Sequence, residues 1–242
     1  MKKIIFFSLI IIKCIGVTNA QSFQLHTGPV FPTGNLASND ANVYAGNATV
    51  GFNIGMKSYL PLSHSNLSLM FGVDFFFNGL TAGHKDYLDS FVELDDEYYY
   101  DEHNYPVYLN IPIMLGLNYG FPLGNEKYKI YGEAAIGYNY SLLTEDNLKY
   151  HYYKKYSSSY THTYDMEDKI QYDSDWGLCY AIEGGFLLKW FRLGLRYNHL
   201  GKYNYKTNWL LTDKYREEYD SKEMKDTERI ITNLQLVIGF VF

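Results

Sequence analysis

The sequence has very little cysteine, which excludes a disulfide framework as the basis of its stability. Only two cysteines, Cys14 and Cys179, occur among 242 residues. Cys14 falls in a segment that we expect to be removed on export, so a single cysteine remains. Small exported domains that cannot build a sufficient core usually depend on disulfides. This chain must instead depend on packing, hydrogen bonds and ion pairs.

Long apolar runs are missing after the first 20 residues. No later segment approaches the 18 or so consecutive apolar residues of a transmembrane helix. The net charge of −6 argues against nucleic acid as a partner. The chain also has no His-Glu-x-x-His, phosphate-loop or EF-hand pattern, so no cofactor and no metal site is expected.

The N-terminal segment has the pattern of a secretory signal peptide. Lys2 and Lys3 precede an apolar stretch over residues 4–12, and small residues lead to Ala20. This arrangement predicts cleavage after Ala20. Cys14 raises a lipoprotein alternative, which Lys13 before it disfavours. We therefore expect a signal peptide over residues 1–20 and one domain over residues 21–242.

Aromatic residues and glycine are abundant instead: 18% of the residues are aromatic, 26 of them tyrosine, and 20 are glycine. The pattern that organises them is alternation with period two, the mark of a strand whose two faces differ. The last segment shows it best. One face carries Ile230, Thr232, Leu234, Leu236, Ile238, Phe240 and Phe242, and the other Asn233, Gln235, Val237, Gly239 and Val241.

Eight segments alternate in this way. They cover residues 23–31, 48–60, 67–77, 107–121, 128–142, 176–188, 191–199 and 230–242. Most are long enough to cross a bilayer as a tilted strand, which takes about 9–11 residues. Their apolar faces end in aromatic residues, as membrane-interface girdles require, and their polar faces are rich in glycine. This combination favours a membrane barrel with a narrow lumen over a soluble sandwich.

The connections alternate in length. Residues 61–66, 122–127 and 189–190 form short turns, whereas residues 33–46, 80–105, 144–174 and 201–228 form long connections. Outer-membrane barrels have short periplasmic turns and long extracellular loops. We therefore predict an all-β, eight-stranded antiparallel up-and-down transmembrane β-barrel in the cell outer membrane, in contact with outer-membrane lipid.

Two stretches resemble the PorT-like outer-membrane β-barrel family. They are Tyr108-Leu109-Asn110-Ile111-Pro112-Ile113-Met114-Leu115 and Arg196-Tyr197-Asn198-His199-Leu200-Gly201. The Ile-Pro within a strand is the most specific piece, because proline is normally excluded from strand interiors. The resemblance implies a small eight-stranded barrel. Phe242 likewise resembles the C-terminal signal through which barrel-assembly machinery recognises its clients.

The polar faces predict a lumen filled by charged side chains, since an eight-stranded barrel is just wide enough for them. The predicted polar network comprises Asp74, Glu133, Glu183, Arg196, Lys57, Lys129 and Arg192. A two-residue turn at 189–190 would pair Leu188 with Phe191 and place Glu183 opposite Arg196. Mutual pairing is expected because unpaired buried charge is costly. A polar plug is the favoured interpretation, with a narrow ion path or proton relay as the alternative.

Catalysis is not expected. The segment from Arg196 to His199 superficially resembles that of a lipid A deacylase family, but Gly201 and Lys202 stand where the family has serine and asparagine. Without its nucleophile that mechanism fails. The acidic stretch of the second long connection matches no calcium loop and is interpreted as a solvated surface. Its members are Glu93, Asp95, Asp96, Glu97, Asp101 and Glu102. Cys179 is expected to face inward as a small buried side chain.

The long connections carry the best functional indication, because tyrosine and serine are typical of adaptable recognition surfaces. The predicted recognition residues are Tyr98, Tyr99, Tyr100, Tyr152, Tyr153, Tyr156 and Tyr160. An equally weighted alternative is that the strands extend beyond the membrane as a hairpin with tyrosines pairing across it. The predicted function is interaction or adhesion, or membership of a membrane assembly, with an extracellular or envelope protein or glycan as partner. The alternative is a narrow conduit for small apolar or ionic solutes, which a kink at Pro112 would favour.

Overall fold

The computed structural model describes residues 22–38, 47–62, 66–81, 98–144, 146–157, 160–172, 174–213 and 218–242. Over 98–103, 125–127, 146, 148, 150–157, 160–172, 204–213 and 218–229 the description covers the backbone alone. The predicted signal peptide therefore lies outside the described residues. No helix in the described part is long and apolar enough to cross a membrane.

The described part contains eleven strands and one short 3-10 helix, Gly34–Leu36. In chain order the strands are β1 (Ser22–Thr33), β2 (Gly51–Pro61), β3 (Leu67–Asn78), β4 (Tyr98–Asn104), β5 (Tyr108–Leu123), β6 (Asn125–Leu143), β7 (Asp146–Ser157), β8 (Tyr160–Tyr172), β9 (Asp175–Leu188), β10 (Phe191–Asp213) and β11 (Glu218–Val241).

Eight of these strands close into a barrel. The order of neighbours is β1, β2, β3, β5, β6, β9, β10 and β11, and β11 returns to β1 through antiparallel pairing. Every pair in the ring is antiparallel. Closure leaves no open sheet edge in the ring, which is what allows a β-structure to lie in hydrocarbon. The predicted eight-stranded antiparallel barrel is confirmed.

One end of the barrel, the short-turn end, has brief connections between β2 and β3, β5 and β6, and β9 and β10. Leu188 pairs with Phe191 across the turn at Lys189 and Trp190, and Glu183 pairs with Arg196, as predicted. The turn between β5 and β6 is shorter than predicted, because pairing continues to Leu123 and Asn125 around Gly124. Gly124 has φ +71 there, a left-handed conformation that glycine adopts without a Cβ clash.

The opposite end, the long-loop end, has more regular structure than the sequence indicated. The prediction of a long loop over residues 201–228 is wrong for most of its length, because β10 continues to Asp213 and β11 begins at Glu218. β7 and β8 pair with each other in antiparallel orientation, which agrees with the hairpin alternative. β8 pairs with the far part of β10, and β4 pairs with β7. We call β4, β7, β8 and the far parts of β10 and β11 the extension sheet.

The outside of the barrel is apolar. Ile136 and Leu178 lie on neighbouring strands and keep 71% and 70% of their surface exposed, although both are large aliphatic side chains. Aromatic pairs flank this region: Trp190 stacks on Phe240 at the short-turn end, with 5.5 Å between ring centroids. Tyr140 and Trp176 lie 5.0 Å apart towards the long-loop end. Apolar side chains between two aromatic bands are the exterior of a transmembrane barrel.

Two prolines interrupt ladders without ending their strands. Pro112 lies within β5, and pairing with β3 is missing between Val73–Ile113 and Phe76–Asn110. Pro29 lies within β1, where pairing with β11 is missing between Thr27–Ile238 and Val30–Gln235. The register is the same on both sides of each gap. The proline is thus tolerated because it removes one donor while the other neighbour of its strand stays paired.

The apolar exterior leads to a prediction for two outward positions on β9. Ile182 lies at mid-strand and Leu188 at the short-turn end, both exposed on the outer face. In lipid vesicles, Ile182→Arg should lower the free energy of unfolding by about 2–4 kcal/mol, because the arginine sits near the bilayer midplane. Leu188→Arg should cost only about 0–1 kcal/mol near the interface. Urea unfolding followed by tryptophan fluorescence measures both; equal costs would contradict this placement.

Candidate functional site

The lumen of the barrel contains a layer of paired charges. We call Lys57, Asp74, Glu133, Glu183, Arg192 and Arg196 the lumen charge cluster. Each is at least 95% buried. They come from β2, β3, β6, β9 and β10, and each stands on the inward face because side chains alternate along a strand. The registers place Glu133 opposite Glu183 and Glu183 opposite Arg196, and Arg192 lies four residues before Arg196 on β10, towards the short-turn end.

Lys57 joins the two glutamates that would otherwise repel each other. Its Nζ donates to Glu133 Oε1 at 2.5 Å and to Glu183 Oε2 at 2.6 Å. Glu133 and Glu183 face each other across β6 and β9, so two like charges are adjacent in a buried site. One ammonium between them offsets this repulsion, since opposite charges interact strongly where water is excluded.

Arg196 connects Glu183 to β3. Its Nε donates to Glu183 Oε2 at 2.8 Å and its Nη1 donates to Asp74 Oδ2 at 3.0 Å. The other oxygen of Asp74 lies 2.6 Å from His26 Nε2 and accepts from Asn53 Nδ2 at 2.9 Å. The carboxylate of Asp74 is therefore satisfied from three strands, as a buried charge requires.

Arg192 forms the part of the cluster closest to the short-turn end. It donates to Glu133 Oε2 at 2.9 Å, to Tyr59 Oη at 2.6 Å and to Asn118 Oδ1 at 3.1 Å. Its guanidinium lies 3.5 Å from the ring centroid of Tyr131, a cation–π contact. Tyr131 Oη in turn donates to Glu183 Oε1 at 2.7 Å. A planar guanidinium can make all these contacts at once.

Two further layers lie between the charges and the long-loop end. The first consists of amides that bond to one another, as between Asn198 Nδ2 and Asn233 Oδ1 at 2.8 Å and between Asn139 Nδ2 and Asn110 Oδ1 at 3.1 Å. The second is apolar; its fully buried members are Val30, Leu36, Tyr108, Leu200, Tyr203 and Ile231. Side chains thus fill this part of the lumen, and the arrangement acts as a plug.

Six of the seven predicted network residues are brought together, and Lys129 is not. It lies on β6 opposite Pro122 and Leu187, nearer the short-turn end. It makes no ion pair with the described residues. Sequence reasoning missed His26, Tyr59 and Tyr131, which share the inward faces with the charged residues. Their alternation with the outward residues was the available signal, but histidine and tyrosine also suit an outward interface.

The register of the extension sheet places most of the predicted recognition tyrosines on two opposite faces of that sheet. Tyr98 pairs with Tyr152, and Tyr152 pairs with Tyr164. Tyr100 pairs with Tyr150, so these five positions share one face, which we call the tyrosine face. The opposite face holds Tyr99, next to His151, and Tyr153. Tyr156 falls at an irregularity near the hairpin turn, and Tyr160 begins β8.

The remaining predictions concern single positions. Cys179 is buried and faces inward, as expected. His199 stacks on Tyr180 on the outer surface, with 4.8 Å between centroids. No group of three or more metal-ligating side chains occurs in the part of the chain that the structure describes. Of the acidic stretch, Asp101 and Glu102 lie in β4, and residues 93–97 are outside the described residues.

Comparisons with known proteins give structural neighbours only. No protein-family model matches the chain, and no curated protein matches it in sequence. Neisserial surface protein A (NspA) is 11% identical, with a TM-score of 0.45, over 92% of this chain and 96% of the other. A major outer membrane protein from Thermus thermophilus is 11% identical at TM-score 0.45, over 93% and 100%. The outer membrane protein OprG from Pseudomonas aeruginosa is 13% identical at TM-score 0.45, over 92% and 96%.

Because these identities and TM-scores are low, the architecture of this chain is inferred from its own strand pairing. A closed antiparallel barrel with an apolar exterior and a polar interior is the architecture of an outer-membrane protein. This agrees with the predicted localisation. The resemblance to the PorT-like family stays a prediction.

Removing Arg196 should destabilise the barrel strongly. Arg196→Met would leave Asp74 without an arginine or lysine partner, whereas Glu183 would keep Lys57 and Arg192. Breaking the buried Arg196–Asp74 pair should cost about 3–5 kcal/mol. The exposed turn residue Lys189 provides the control, since Lys189→Met should change little. Adding Asp74→Asn to Arg196→Met should cost less than the sum of the single changes, because the carboxylate that Arg196→Met leaves unpaired disappears. An unchanged urea midpoint for Arg196→Met would contradict the pairing.

Gly55 gives a second test, because it leaves room for the His26–Asp74 pair. A Cβ at Gly55 would lie 2.2 Å from Asp74 Oδ1 and 2.5 Å from His26 Nε2. Gly55→Ala should therefore separate the pair and destabilise the barrel by about 1–3 kcal/mol. Gly132→Ala is the matched control, since nothing lies within 4 Å of its Cβ position. Equal unfolding midpoints for the two variants would show that the space at Gly55 is not needed.

Proposed function

We propose that this protein is a non-enzymatic outer-membrane barrel that acts by interaction, with the extension sheet as its recognition surface. The observation that carries the proposal is the tyrosine face, on which the register aligns Tyr98, Tyr100, Tyr150, Tyr152 and Tyr164. Tyrosine offers broad amphipathic contact area at a low entropic cost. Grouped tyrosines on one face of a sheet are suited to bind a protein or a glycan.

The proposal includes an orientation of the barrel in the outer membrane. The short-turn end faces the periplasm and the extension sheet lies outside, as in barrels whose long loops are extracellular. The partner is then an extracellular or envelope protein or glycan, or another component of a membrane assembly. Barrel-assembly machinery is the expected partner during insertion.

The filled lumen supports interaction over transport. A conduit needs an open path, whereas the lumen charge cluster is bridged from wall to wall by Lys57 and Arg196. Beyond it, the apolar layer includes Leu200 and Ile231, both with no exposed surface. Planar-bilayer recordings of the purified protein should therefore give no steady conductance, and a reproducible open channel would favour the conduit.

The interaction is tested with two sets of tyrosine substitutions. The protein is extracted gently from the native outer membrane, captured through an affinity tag, and its co-purifying proteins and glycans are quantified by mass spectrometry. Tyr98→Ser, Tyr100→Ser and Tyr152→Ser together should reduce a stoichiometric partner at least tenfold, because three contact side chains are removed. Tyr99→Ser with Tyr153→Ser is the matched control on the opposite face and should retain the partner.

Two results would count against this surface. Equal retention by both variants would show that the tyrosine face is not where the partner binds. A wild-type barrel that is extracted alone would show that it does not belong to a stable assembly. Heat-modifiable migration on gels verifies that each variant still forms the barrel.

A further inference from the structure

A cavity opens into the lumen at the short-turn end, below the lumen charge cluster. Its volume is roughly 250 Å³, and its lining includes Lys129, Arg192, Asn118, Ser22, Ser68 and Tyr131. We call it the vestibule. It lies within the ring of strands, and its inner limit is formed by Arg192 with Tyr59 and Tyr131. A ligand there would be surrounded by the barrel wall.

The charges that line the vestibule have one sign. Among the residues that the structure describes, Lys129 and Arg192 are its only charged lining residues, and none of these lining residues is a carboxylate. Arg192 is already neutralised, because it pairs with Glu133 at 2.9 Å and lies 3.3 Å from Glu183. The side chain of Lys129 makes no hydrogen bond or ion pair with any described residue. The described lining residues therefore contribute one uncompensated positive charge to the vestibule.

The charge balance of the lumen charge cluster also leaves Lys129 without a partner. The lumen charge cluster has three carboxylates, Asp74, Glu133 and Glu183, against three cations, Lys57, Arg192 and Arg196. The charges of these six residues sum to zero, so the cluster has no carboxylate in excess for Lys129. The charge of Lys129 is in excess at a partly enclosed site, where an anionic ligand would be attracted more strongly than on an open surface.

Several neutral side chains of the vestibule can donate hydrogen bonds. Asn118 accepts from Arg192 through Oδ1, so its Nδ2 amide remains as a donor. Nδ2 makes no hydrogen bond with the described residues. The hydroxyls of Ser22 and Ser68 likewise have no described partner, and both residues line the cavity. One ammonium, one amide N–H₂ and two hydroxyls form a donor set suited to a carboxylate or a phosphate.

Gly120 allows the lysine to lie along the cavity wall. A Cβ at Gly120 would be 3.2 Å from Lys129 Cδ, so the lysine stem passes over the glycine. Gly120 is two residues from Asn118 along β5, and Asn118 is opposite Ser68 on β3. The ammonium, Asn118 and Ser68 are therefore held by three adjacent strands, β6, β5 and β3, and Ser22 lies on β1.

We propose that the vestibule binds a small soluble oxyanion, with a carboxylate or phosphate group held by Lys129, Asn118 and the two serines. This site is separate from the tyrosine face and would give the barrel a ligand on its short-turn side. The barrel wall separates the vestibule from the surrounding lipid, so a free anion fits it better than a lipid headgroup. Arg192 is a positioning residue, because it orients Asn118 while its own charge is already paired.

The test uses inorganic phosphate and the whole protein. Isotopically labelled protein is refolded into micelles of an uncharged detergent, and phosphate replaces chloride at constant ionic strength while amide resonances are followed by NMR. The amides near Gly120 and Lys129 should shift with saturation. Lys129→Gln should weaken phosphate binding at least tenfold through the loss of a charge-assisted hydrogen bond, and Lys129→Arg should retain it.

Lys189→Gln is the matched control, since it removes a lysine from the neighbouring turn outside the vestibule and should leave binding unchanged. Acetate in place of phosphate should shift the same amides. Shifts that fail to saturate, or that are equal in the wild type and in Lys129→Gln, would overturn the site. The same shifts with anionic phospholipid added to the micelles, without phosphate, would assign the vestibule to a headgroup and overturn the proposal of a soluble ligand.

Discussion

The ion pairs that cross the lumen are the interaction on which the rest of this barrel depends. Lys57 and Arg196 reach carboxylates on three other strands, so the inward faces of β2, β3, β6, β9 and β10 are connected at one height. Buried charges are tolerated only when they are paired and their remaining hydrogen-bonding groups are satisfied. Shifting any one of these strands by one residue would turn its charge towards lipid. The cluster therefore selects the register as well as filling the lumen.

The barrel wall and its interior differ from the two ends of the molecule in what they can do. The barrel wall is apolar outside and closed by hydrogen bonds, which suits it to hydrocarbon and leaves little for recognition. The interior is filled by paired charges, amides and apolar side chains. What remains available are the two ends: the extension sheet with its tyrosine face, and the vestibule with its unpaired lysine. Both functional proposals concern these ends, and each can fail without affecting the other.

Much of the barrel could be predicted from alternation, and particular elements show why. β9 and β10 are connected by two residues, so the chain itself determines that Glu183 lies opposite Arg196. Such local pairing follows from turn length and period alone. The far part of β10 is different: Trp209 pairs with Ile170 on β8, across long stretches of chain. Nothing in either segment indicates that pairing, although a hairpin was one of the two interpretations of the segment that contains Ile170. Lys129 is a second position that the pattern did not place correctly. The alternation predicts that its side chain faces inward, but Lys129 lies four residues before Glu133 on β6 and is therefore outside the cluster.

By itself, the sequence determined the fold class, the eight barrel strands, the inward face of each and the type of side chain that fills the lumen. These depend on period two and on turn length, which act between near neighbours. Only the tertiary structure decided which charges meet, that His26 and Tyr59 join them, that five tyrosines share one face, and that Lys129 is left beside a cavity. Those relations depend on the stagger of strands that are distant in the chain, and a stagger is set by the closing of the whole barrel rather than by any one segment.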